Sequence, residues 1–233
     1  MAAPLEPLTH RESRPRPSVQ PPSPVARSAQ AASSTLWQVH DSEGLDAIAF
    51  LGALSGGELY VREYGREASM FGERLSNAVR DDLAALARDA DAEGFGLLWP
   101  GLATMVSGTE ASSIEAVVAA LQDPERLIRP AYQVSAYWNA HDWAWFTRAA
   151  ARLRAVVDAM RAGGFASFRR ELVGNTLSER ARVLGRALAD YDVVQWQRKL
   201  TGCPFDSTIE IVLLHFSRPH GVKVQGQRFL QSA

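Results

Sequence analysis

Two hydrophobic rhythms divide the chain. Over most of its length apolar residues return at steps of three and four, the spacing of one helical face. Phe71, Leu75, Val79, Leu83, Leu86 and Ala90 form such a stripe and predict one long amphipathic helix over roughly 66–92, its other faces carrying Arg80, Asp81, Asp82, Arg88, Asp89 and Asp91. Trp143, Phe146, Ala150, Leu153, Val157 and Met160 predict a second over 139–162, stopped by Gly163-Gly164. Leu177, Ala181, Leu184, Leu188 and Tyr191 predict a third, opened by the capping box Thr176-Leu177-Ser178-Glu179 and ending near Gly202. Residues 45–54 are apolar nearly all round, as in a buried helix, with Asp41 or Ser42 as N-cap and Gly56-Gly57 at the end. Ser112-Ser113-Ile114-Glu115 is another capping box, opening a helix through about Leu121. Asp123-Pro124 and Arg129-Pro130 bracket one helical turn, and residues 97–107 fit a short helix without a boundary signal. The heptad-like steps suit antiparallel packing within a bundle.

Near the end the period changes to two. The run Ser207-Thr208-Ile209-Glu210-Ile211-Val212-Leu213-Leu214-His215-Phe216-Ser217 is β-branched and apolar, the turn is Arg218-Pro219-His220-Gly221, and residues 222–229 alternate. This pattern predicts a β-hairpin. Ile209, Ile211, Leu213 and His215 share one face, and Val212, Leu214 and Phe216 the other, so both faces are apolar and both call for cover. A lone hairpin is marginal and needs a third strand or a helix. Helices can cover a face, but no sequence after Ala233 supplies an edge strand. The expected fold is therefore mainly α: a helical bundle-like domain with a C-terminal antiparallel β-hairpin, reading as an incomplete α+β domain. Its boundaries are 35–233, with the hairpin at 207–229. Residues 1–34 hold seven of the 12 prolines and read as a disordered Pro-rich tail.

Composition narrows the function classes. Lys plus Arg number 25 against 26 Asp plus Glu, so no global field draws nucleic acid or an anionic membrane, and the scattered Trp residues lack a basic groove. No run reaches the roughly 18 apolar residues of a membrane helix. Cys203 is the single cysteine, which excludes an intrachain disulfide and a four-thiolate zinc site. Ala29-Gln30-Ala31 matches a signal-peptidase pattern, but Pro15 to Pro24 stands where the apolar h-region belongs. As written the chain reads as cytoplasmic, and as exported only if its start codon is misassigned, so the localisation stays open.

The chemistry-bearing residues do not assemble into a known set. His141 is followed at i+4 by Trp145, so no HExxH helix exists, and neither a GxSxG elbow nor a GxxxxGK[ST] loop occurs. His40 reads as a capping or packing residue beside Asp41, and His141 as part of the Trp138, Trp143 and Trp145 cluster. His215 takes a strand position otherwise held by Ile, Leu and Val, and flanks the turn with Arg218 and His220. These three are the candidate cleft-wall residues. The plainer reading of His215 is a buried histidine bonded to one carbonyl. No catalytic residue, metal ligand or cofactor site is assigned within the chain.

The segment Leu213-Leu214-His215-Phe216-Ser217-Arg218-Pro219-His220-Gly221-Val222, with Gly226-Gln227-Arg228-Phe229-Leu230, resembles a bacterial family predicted to be zinc-metallopeptidase-like, of gluzincin type. His40-Asp41-Ser42, Gly44-Leu45-Asp46 and Leu54-Ser55-Gly56 are similar to that family's N-terminal region. The resemblance implies a helical region and a strand pair upstream of an HExxH helix, zinc in a longer form, and a peptide substrate. The metal ligands themselves are missing here, so no catalytic residue is carried over. Two functions follow: a substrate-cleft or scaffold portion of such a protein, inert as given, or a non-catalytic helical interaction module that forms a homodimer through its hairpin edge.

Overall fold

The computed structural model describes residues 35–109, 111–224 and 228–233; the expected disordered tail, 1–34, lies outside them. A strand, β1 (Leu36–Asp41), comes first and leads into helix α1 (Glu43–Leu54). A helical body follows: α2 (Glu58–Gly72), α3 (Asn77–Ala92), α4 (Leu98–Val106), α5 (Ile114–Gln122), α6 (Pro124–Leu127), α7 (Arg129–Gln133) and α8 (Ala140–Ala162). Then come α9 (Phe165–Val173), α10 (Thr176–Leu188), α11 (Val193–Thr201) and three strands, β2 (Thr208–Leu214), β3 (Val222–Lys223) and β4 (Arg228–Ser232). The fold is mainly α, with a small sheet and a C-terminal antiparallel pair, as its periods predict.

Helix α1 is the axle of the body and packs against α2, α4, α5, α9 and β2. Ser42 caps it, its hydroxyl accepting from the Leu45 amide at 3.1 Å and donating to the Ala111 carbonyl at 2.5 Å. Gly44 is obligatory at this crossing, because a Cβ there would lie 2.5 Å from two backbone oxygens, those of Ala111 and Ser113. Phe50 anchors an aromatic cluster with Phe71, Phe165, Phe168 and Phe216, the last with its centroid 4.2 Å away.

Two predicted long helices are each divided. The stripe over 66–92 runs unbroken in sequence, yet α2 ends at Gly72 and Ser76 caps α3, accepting from Val79 N at 3.4 Å. Leu75 stays buried within the break, which preserves the apolar rhythm while the backbone turns. The predicted helix over 176–202 breaks likewise at 189–192, where Asp192 caps α11 by accepting from Gln195 N at 3.0 Å. Its capping box does not form: the N-cap is Asn175, and Glu179 pairs with Arg182. At α5 the cap is Ser113, one residue past the first serine of its box, and Glu43 accepts from the Ile114 amide.

The sheet has strand order β1-β2-β4-β3. β2 runs parallel to both neighbours, with Trp37 opposite Ile209 and Ile211 opposite Phe229. The antiparallel pair is β3 with β4, Val222 opposite Leu230, so the partner expected for β2 across the turn is replaced. The third strand required by β2 comes from upstream, as β1. A parallel neighbour needs a long crossover rather than a tight turn, and the whole helical body supplies it. Alternation along β2 holds. Val212 and Leu214, with Phe216 beyond, join the main core, and Leu213 faces outward onto Val173, Leu177 and Ala181 of α9 and α10.

Candidate functional site

The segment that carries the three candidate residues is pinned by buried polar groups. Asp46 on α1 has no solvent exposure; one oxygen accepts from the Phe216 amide at 3.0 Å and the other from Arg169 Nε at 2.7 Å. Arg169 also donates through Nη2 to Asp41 at 2.7 Å, tying α9 to α1 and β1 at once. Burial pushes the Asp46 carboxyl up to about 6, against the pull of Arg169 and the backbone amides. Tyr64 donates its hydroxyl proton to the His215 carbonyl at 2.7 Å and accepts from the Arg218 amide at 3.0 Å. Burial raises its phenol to about 12, so it stays a neutral clamp.

His215 and Arg218 come together; His220 does not join them. The first two line a cleft of about 240 Å³ with Glu63, Tyr64, Thr176 and Arg180, over an apolar floor that includes Leu177. Arg218 donates to the Ala233 carbonyl at 3.1 Å. Burial lowers the His215 pKa, and Arg169, Arg218 and Arg180 push the same way against Glu67, which favours a neutral imidazole. His220 lies 3.2 Å from the Tyr60 hydroxyl through Nδ1 and packs by ring contact on Tyr60 and Trp99. The cleft thus offers two guanidinium groups, one carboxylate and one neutral imidazole, a set suited to binding a polar chain. Among the described residues no group of three or more His, Cys, Asp or Glu could hold a metal ion.

A second and larger cleft, about 510 Å³, opens on the outer face of the sheet. Trp37, Ile209, Ile211 and Phe229 form its floor, Val193 and Gln197 of α11 one wall, and 204–206 another, with Lys223 at the rim. Helix α10 covers the half of that face around Val39 and Leu213, and among the described residues this half is left uncovered. The Oε1 atom of Gln197 is buried with no donor among the described residues. Beside the cleft Trp196 and Leu200 of α11 are 63% and 82% exposed. Sequence reasoning missed this site because it read α10 and α11 as one helix and gave no strand to residues 36–41. The alternation Trp37, Val39, Asp41 against Leu36, Gln38, His40 was the signal available.

The inner face carries a polar ladder at one end. Glu210 lies 2.7 Å from His40 Nε2 and 2.5 Å from Arg228 Nε, and Arg228 also reaches the Ser107 carbonyl. Burial opposes ionisation of Glu210, yet Arg228 and His40 prevail and hold its carboxyl below the usual range.

Comparison with known proteins returns no match: no family model covers the chain, and no curated protein or solved structure is detectably similar to it.

Proposed function

We propose that this protein is a non-catalytic interaction module whose working surface is the outer face of its sheet. The observation that carries this reading is the half of that face left uncovered among the described residues, an apolar cleft of about 510 Å³ that continues onto exposed Trp196 and Leu200. Contiguous exposed apolar surface is costly in water and marks a contact site, and a concave apolar pocket of this size is what binding sites use. The edge first expected to pair is β3, only two residues long, too short to template another strand, so the face and not the edge is the contact surface. Binding of an environment-sensitive apolar dye tests it. Phe229→Glu, at a half-exposed floor residue, should weaken dye binding by at least about tenfold with the helical circular dichroism unchanged. Equal dye binding by the variant contradicts the reading.

A second reading keeps the family resemblance: a substrate-cleft portion of a zinc-metallopeptidase-like protein. It is favoured by His215 and Arg218 lining one cleft. An extended peptide titrated into the protein should then bind, and Arg218→Ala together with Arg180→Ala should cost at least about tenfold in affinity. Unaltered binding removes this reading.

A further inference from the structure

We infer that the cleft holding His215 and Arg218 binds an α-carboxylate, the group that ends a peptide or a free amino acid. Arg180 and Arg218 take the carboxylate, and Glu63 takes the N–H on the neighbouring carbon. The inference rests on the reading of that cleft as a binding site and names the chemical group it holds.

The cleft gathers polar groups that the protein leaves unmatched. Arg180 and Glu63 have no ion-pair or hydrogen-bond partner among the described residues, and neither does either ring nitrogen of half-buried His215. Arg218 gives one N–H to the Ala233 carbonyl at 3.1 Å, and its backbone amide is held by Tyr64. Those contacts fix where its guanidinium stands, and its other N–H groups have no acceptor among the described residues. Nearby arginines behave otherwise: Arg169 closes on Asp46 and Asp41, and Arg182, two residues along α10, closes on Glu179. Two guanidinium forks on separate elements, without a carboxylate of the protein's own, are arranged to take one from a ligand.

Glu63 decides which anion fits. It lines the same cleft and pairs with neither arginine. A dianion such as phosphate brings a second negative charge toward it, which costs repulsion. An α-carboxylate brings one charge, together with an N–H that Glu63 can accept. His215, held neutral chiefly by burial, adds a hydrogen-bonding ring and no charge. Val173 and Leu177 give an apolar floor for the side chain on the same carbon, and a volume of about 240 Å³ suits one residue rather than a long segment.

Titrations of the whole chain followed by NMR test the inference, with the His215 imidazole resonance as the positional readout. The probes are N-acetyl-Ala-Ala-Leu, its C-terminal amide, free leucine and inorganic phosphate. The tripeptide acid should bind at least about tenfold tighter than the amide or phosphate and should move the His215 resonance. Arg180→Gln and Arg218→Gln should each weaken the acid by at least about fivefold and leave the amide unchanged. Glu63→Gln should narrow the preference over phosphate by at least about threefold. Arg186→Gln, exposed further along α10 and outside the cleft, should change nothing. All the substituted residues are exposed, so the fold is retained, and circular dichroism verifies it. Leucine binding beside the tripeptide acid sustains the inference, and leucine binding alone sustains it while removing the peptide reading. Acid and amide binding equally overturns the inference and leaves the peptide reading standing. Phosphate binding tighter than the acid also overturns it. No binding by any of the four overturns both.

Discussion

Asp46 is the residue on which most of the fold's polar order depends. It joins α1, α9 and the end of β2 through two side-chain oxygens, and it stands in a helix otherwise apolar on every side. Its position in that helix was legible in the sequence; its partner was not, because Arg169 lies 123 residues away and helical periodicity carries no long-range pairing. Breaking a buried pair leaves a bare charge, so Arg169→Ala should cost about 3–5 kcal/mol in denaturant unfolding. The pH dependence has a definite sign. A carboxyl at about 6 in the folded state, against the ordinary aspartate value of 3.8, binds its proton more tightly when folded. Its contribution is therefore full below about pH 4 and is lost as pH rises through about 6. Wild type should gain roughly 3 kcal/mol on Asp46→Asn between pH 7 and pH 3.5, measured as the difference in unfolding free energy. A difference that shrinks on acidification would mean that the Arg169 pair outweighs burial. Gly44→Ala is a sharper test of packing, since the new methyl would meet backbone oxygens that cannot swing aside. It should destabilise by at least about 2 kcal/mol despite alanine's better helix propensity.

At the scale of elements, apolar periods told helix from strand over most of the chain but gave no strand to 36–41, and they failed again where the backbone turned without losing the rhythm. Leu75 remains in the core through the break between α2 and α3, so the stripe gives no hint of it; Ser76 was the local clue. Pairing was harder still. Alternation over 208–214 fixed which side chains face which way, but a strand's partners depend on the route of the intervening chain, and here that route makes β1 and β4 its parallel neighbours. The two faces of β2 should differ in worth. Leu214 points into the main core and Leu213 into the smaller cluster under α9 and α10. Leu214→Ala should cost roughly 3–5 kcal/mol and Leu213→Ala roughly 2–3, because the smaller, half-open cluster can collapse around the loss. The reverse order in urea unfolding would place the sheet the wrong way round.

For the whole molecule, the division of labour is between a closed core and an open face. The inner side of the sheet is sealed by α1 and the aromatic cluster around Phe50, and His215 and Arg218 sit on a small mixed-charge cleft beside α9 and α10. Among the described residues, the outer side is sealed by α10 over one half alone. Candidate residues near the turn were legible because histidine among β-branched neighbours is conspicuous. The outer cleft was not, because its floor joins residues near both ends of the domain, Trp37 and Phe229. Trp indole N–H resonances followed during titration with the apolar dye test the central claim most directly. The account predicts that Trp37 and Trp196, at the open face, shift as the dye is added, while buried Trp99, Trp143 and Trp145 hold still. Movement of the buried three without Trp37 and Trp196 would contradict it.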